Sequence, residues 1–160
     1  MTRHAFLRSD GFYRLQSFSD SSMSTVSSTE YLYFSEDGIV QVFRGESHLE
    51  HVRTNSEWDS KFIGTGIYKI IDDSISVRYL EIYPAASYCH QLPIKLLEGN
   101  ILQPKSRHSC RVNPENVTWK DECGPLIFIE SDTLPDLDAS WYKNQKWFWC
   151  SDDEFEKWKE

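Results

Sequence analysis

Residues 68–78, Tyr-Lys-Ile-Ile-Asp-Asp-Ser-Ile-Ser-Val-Arg, fold back in one way that brings their apolar side chains together. A two-residue turn at Asp72-Asp73 sets Ile70 opposite Ile75 and Tyr68 opposite Val77. Lys69 then faces Ser76, and Ile71 faces Ser74, on the other side. Side chains alternate along a strand, so one face is apolar and the other mostly polar, as a half-buried antiparallel hairpin requires.

Two more segments carry the same pattern. In residues 32–43 the Asp37-Gly38 pair is a hairpin signal between strand-forming residues, and in residues 94–103 Gly99-Asn100 supplies positive-φ positions. Strands are also expected over 12–18, 79–83 (with a bulge at the adjacent Tyr79 and Leu80) and 88–97, where Pro93 marks a bend or edge. Two later ones, 116–120 and 125–130, bracket a turn at Asp121 to Gly124. The intervals are too short for crossover helices, so the expectation is an all-β, antiparallel up-and-down meander curled into a barrel.

Helix is expected in two places. Residues 56–62 fit a short turn, and Ser151-Asp-Asp-Glu154 has capping-box spacing ahead of Phe155 and Trp158, giving a short C-terminal helix. The chain of 160 residues reads as a single domain, with the barrel over about 11–130 and a Trp-rich extension over about 135–160.

Charge narrows the partners. With 17 basic and 25 acidic residues the formal net charge is −8, which repels phosphate backbones and anionic lipid, so neither nucleic acid nor membrane is expected. The basic run Lys105, Arg107, His108, Arg111 reads as a solvated strand end. No signal-peptide core and no long apolar stretch is present, so a cytoplasmic location is expected. The four cysteines, 89, 110, 123 and 150, form no Cys-x-x-Cys pair and are expected as thiols. The sequon at Asn116-Val117-Thr118 would matter only in a secreted chain.

The pattern resembles the small lipocalin-like, or calycin-type, barrels. The residues that carry the resemblance are Gly11-Phe12-Tyr13, Tyr33 to Gly38, Gly66 to Ile70 and Gly99-Asn100, with Tyr13 where lipocalins proper have the Trp of Gly-x-Trp. The resemblance implies a barrel whose mouth takes small hydrophobic molecules.

Reactive constellations are weak. His48 and His51 lie three apart beside Glu46 and Glu50, but a zinc site needs three or four ligands. Cys89 with His90, and His108 with Cys110, lie on consecutive strands, yet neighbouring strand residues point to opposite faces. No Gly-x-Ser-x-Gly elbow is present, and Gly64-Thr-Gly66 precedes a strand, not a helix. No catalytic residue, metal ligand or cofactor is assigned.

A binding cavity is the leading expectation. Alternation turns Tyr13, Leu32, Phe34, Gln41, Phe43, Tyr68, Ile70, Ile75, Val77, Tyr79, Leu96 and Gln103 inward, with His90 beside them. Of these, Tyr13, Gln41, Tyr68, Tyr79, His90 and Gln103 offer stacking surface and polar tips to a small, largely apolar ligand. The rival expectation is an acidic interaction or inhibitor module, of the immunity type, that meets a basic protein through Trp141, Trp147 and Trp149.

Overall fold

In the computed structural model, residues 6–21, 24–45, 50, 63–82, 86–112, 118–132, 134 and 156 are described, with side chains for all of these but 19–27, 63, 82 and 112. Among the described residues ten strands are formed: β1 (Gly11–Ser21), β2 (Ser24–Phe34), β3 (Ile39–Arg44), β4 (Ile63–Ile71), β5 (Ser74–Ile82), β6 (Ser87–Leu97), β7 (Ile101–Pro104), β8 (Arg107–Val112), β9 (Thr118–Cys123) and β10 (Ile127–Glu130). All pairings are antiparallel, and eight strands close the ring in the order β1-β9-β8-β6-β5-β4-β3-β2. The expected helices at 56–62 and 151–158 lie outside the described residues, residue 156 apart.

The ring is not a pure up-and-down meander. Strands β7 and β8 share the free edge of β6, β7 along Ile94–Leu97 and β8 along Ser87–Gln91. Strands β9 and β10 share the edge of β1 in the same manner, at Ser17-Phe18 and at Gly11–Arg14. The first break falls opposite Pro93, whose carbonyl accepts from the Lys105 amide at 2.8 Å. On that side proline has no N–H to give, so the ladder is interrupted where its donor is missing. The second break, Gly124 to Leu126, replaces the expected turn at 121–124: Asp121 lies within β9, and β9 and β10 both run antiparallel to β1. Between β7 and β10 no ladder forms. Leu126 donates to the Leu102 carbonyl at 2.9 Å, and Gln103 Nε2 to the Cys123 carbonyl at 3.2 Å.

Turn length sets which side chains enter. The β4–β5 turn has the expected two residues, and Tyr68↔Val77 and Ile70↔Ile75 pair as the alternation requires. The β2–β3 turn does not. Gly38 (φ 88°) donates to the Ser35 carbonyl at 3.3 Å and Ser35 to the Ile39 carbonyl at 2.9 Å, leaving three residues in the loop and pairing Phe34 with Val40. This is a tight turn closed by a positive-φ residue, a common three-residue hairpin. One extra residue swaps the faces of everything beyond it. Val40 and Val42 therefore enter the barrel, while Gln41 and Phe43 take the outer face. The β6–β7 turn makes the same shift: Leu96 meets Leu102, and Gln103, expected inside, lies on the outer face opposite Lys95. The bulge expected at Tyr79-Leu80 is absent, since β5 pairs without interruption with both neighbours.

The barrel has two unlike ends. At the end holding the short turns, Tyr13, Phe34, Val40, Ile75, Ile94 and Leu102 form an apolar core, with Phe6 and Leu7 packed against it. Tyr68 meets Phe34 edge to face at 5.1 Å, and Tyr13 meets Phe128 likewise at 5.1 Å. The outer face of β1–β3 is buried too, around Phe12, Tyr31, Tyr33 and Phe43. On β5 the outward Arg78 is buried and donates to Cys89 Sγ at 3.4 Å.

Burial raises the phenols of Tyr13, Tyr33, Tyr68 (to about 12) and Tyr79 above their ordinary range. The folded state thus keeps protons that the unfolded chain releases near pH 10, so stability is full below that pH and falls as pH rises through about 12. Alkaline titration should show phenolate absorbance from these rings appearing together with loss of β-sheet circular dichroism. Their ionisation in a chain that keeps its fold would contradict the packing described.

Candidate functional site

The other end of the barrel is lined by charge. Alternation along β2, β5 and β8 continues past the apolar residues and carries Glu30, Glu81, Arg107 and Ser109 inward, and β9 adds Asp121. All five are buried, as is His90. Arg107, expected as part of a solvated strand end, is the hub: its side chain is only 5% exposed. Its Nη1 donates to Glu30 Oε2 and, at 2.9 Å, to Tyr79 Oη; its Nη2 donates to Asp121 Oδ2 at 2.9 Å and to Ser17 Oγ at 3.3 Å. Burial alone disfavours its charge, but the surrounding oxygens of Tyr79, Glu30 and Asp121 outweigh that and hold its pKa above the ordinary value. Tyr79 is pushed the other way in charge terms: burial first, then Glu30, keeps its phenol protonated.

A second cation closes the set. Arg44 pairs with Glu81 at 2.9 Å through Nη2 and approaches Glu30 Oε1 at 3.5 Å through Nε, and its side chain is 47% exposed. His90 shares a hydrogen bond with Ser109 through Nδ1 at 2.7 Å, and its ring stacks on Tyr79 at 4.6 Å. Its Nε2 lies 3.7 Å from Glu81 Oε1, beyond hydrogen-bond reach. Trp119, partly exposed, stands edge-on to His90 at 6.2 Å and to Tyr88 at 5.6 Å. Two buried atoms here, Glu30 Oε1 and His90 Nε2, have no hydrogen bond among the described residues. Buried polar atoms are nearly always satisfied, by protein, water or ligand.

Gly64 makes room for this arrangement. It lies inward on β4, and a Cβ there would meet Tyr79 Cδ2 at 2.9 Å and Glu81 Cγ at 3.2 Å. The connections at this end, residues 22–23, 45–62, 83–86 and 113–117, include the longest in the barrel, whereas the opposite end has turns of two and three residues. Binding residues concentrate on such loops and the strand ends that carry them.

The residues selected from sequence divide three ways. Tyr79 and His90 meet in the charged end. Tyr13 and Tyr68 lie in the apolar end, where Tyr13 Oη accepts from the Arg8 amide at 2.8 Å and Tyr68 donates to the Ser35 carbonyl. Gln41 and Gln103 are on the outer face. The alternation that turns Leu32 and Tyr79 inward points equally to Glu30 and Glu81, which the sequence reading does not select. Among the described residues no group of three or more potential ligands is placed to hold a metal. His48, His51 and the Trp141–Trp149 surface lie outside the described residues. Ser109, His90 and Glu81 superficially suggest a catalytic triad, but Ser109 is buried and meets Nδ1, leaving Nε2 towards the carboxylate without bonding it.

No family model, curated protein or solved structure matches this chain. The closed eight-stranded antiparallel barrel therefore stands on its own geometry, and no match supports lipocalin membership.

Proposed function

We propose that the domain is a non-enzymatic, lipocalin-like binding protein that takes a small, largely apolar molecule with one polar group at the charged end of the barrel. The observation that carries this reading is the pair of buried atoms with no hydrogen bond among the described residues, Glu30 Oε1 and His90 Nε2, beneath a rim where Arg44 and Trp119 reach solvent. A guest bearing a hydrogen-bond donor satisfies the carboxylate oxygen. The imidazole nitrogen takes either role according to its tautomer. The indole of Trp119 and the ring of Tyr88 offer stacking surface to an apolar or aromatic body. The opposite end is filled by the apolar core, so the guest contacts Tyr79 and His90 and not Tyr13 or Tyr68.

A thermal-shift screen of fatty acids, tetrapyrroles and aromatic metabolites tests this. At a hundred times its dissociation constant a true ligand adds about 2.7 kcal/mol of stability. The shift should shrink in Trp119→Ala and His90→Asn, each checked for an unchanged circular dichroism spectrum, and persist in Gln41→Ala. Full shifts in both site variants would place the ligand elsewhere, and no shift with any compound while a basic protein co-purifies would favour the interaction module.

A further inference from the structure

The outer face of the wall carries a feature that this site does not use. Cys89 on β6 and Cys110 on β8 are register partners, flanking the His90↔Ser109 pair that meets inside. Alternation turns both thiols outward, and neither is in a disulfide. Directly opposed antiparallel residues have Cα atoms about 4.5–5.5 Å apart. Disulfides span Cα separations of about 4.4–6.8 Å, so the Cα spacing of such a pair falls within the disulfide range. Arg78 Nη2 donates to Cys89 Sγ at 3.4 Å, which fixes the guanidinium beside the sulfur. A groove of about 550 Å³ opens over the pair, with His108 and Lys120 on its walls and no carboxylate among its described lining.

We propose that Cys89 and Cys110 are a redox-modification site that closes to a disulfide by exchange with a small anionic disulfide of the glutathione type. Cys110 is the more exposed of the two and reacts first. Its thiolate attacks one sulfur of the reagent, the reagent's S–S bond breaks, and one thiolate leaves and takes up the proton that Cys110 released. Cys89, held beside Arg78, then attacks the Cys110 sulfur, and the second reagent thiol departs with the proton of Cys89. Two protein thiols are oxidised by two electrons and one reagent disulfide is reduced to two thiols. Lys120 on the groove wall and Arg78 at Cys89 select an anionic reagent against the negative charge of the whole chain.

The test incubates the full chain with glutathione disulfide, blocks the remaining thiols and digests with trypsin without reduction. The expected product joins peptide 79–95, which holds Cys89, to peptide 108–111, which holds Cys110. Closure should be about tenfold faster with glutathione disulfide than with cationic cystamine at low salt, the two rates converging as salt screens the groove. Cys89→Ser should stop at a mixed disulfide on Cys110. Separate recovery of both blocked cysteines, or a cross-link to Cys123 or Cys150, overturns the pairing. Equal rates with the two reagents overturn the selectivity for anions.

Discussion

Replacing Arg107 with methionine is expected to destabilise the domain by about 3–5 kcal/mol, the cost of breaking a buried ion pair from one side. The substitution keeps much of the side-chain volume and removes the charge and the fork of donors. Glu30 and Asp121 then stand buried without their shared cation, and Tyr79 and Ser17 lose a donor. Urea denaturation measures the loss as a shift of the midpoint. Lys105→Met, two residues away and exposed, should change stability by less than about 0.5 kcal/mol. Exchanging Arg107, Glu30 and Asp121 together for apolar residues should recover much of the loss, because an intact buried ion pair adds little net stability over a packed apolar replacement. A loss under about 1 kcal/mol for the single substitution would mean that Arg107 is hydrated and the network is not the hub described.

Gly66→Ala should be the most damaging small change, at about 3 kcal/mol, the upper part of the range for overpacking. A Cβ there would stand 1.9 Å from the Arg78 carbonyl oxygen and 2.5 Å from Tyr79 Cα. Those atoms are backbone, so β4 and β5 have to separate, and Tyr79 and Glu81 move with β5. Gly64→Ala meets the ring edge of Tyr79 instead, at 2.9 Å, and a ring can tilt, so its cost should be smaller. A Gly66→Ala midpoint equal to that of the parent chain in chemical denaturation would show that the barrel tolerates a side chain at this corner.

Much of the wall was legible in the chain because strand alternation is a local signal. The β4–β5 hairpin pairs residue for residue as its pattern demands. The errors on β3 and β7 have one cause: Asp37-Gly38 and Gly99-Asn100 mark turns without saying whether two or three residues form the loop, and one residue reverses a whole strand. That miscount moved Gln41 and Gln103 into an interior they do not reach. The charged end was missed for a different reason. Arg107 and its partners are separated by 77 residues from Glu30 and 14 from Asp121. Closure of β1 on β9 brings Glu30 to Arg107, while the β8–β9 pairing sets Asp121 opposite it. An arginine within a basic run carries no sign that its counterions wait inside the fold.

The two shared edges make the barrel a clamp more than a cylinder. Around the charged end the ladders run unbroken from β1 through β9 and back to β2. At the apolar end two lips, β7 and the β9–β10 edge, are joined by one main-chain bond, Leu126 to Leu102, and by the Gln103 side chain on the Cys123 carbonyl. Local opening favours seams with few ordered contacts, and hydrogen bonding across this one is sparse. The hinge for breathing motions is therefore the intact ring, and the lips part first, so the wall can flex without separating Arg107 from the carboxylates it neutralises.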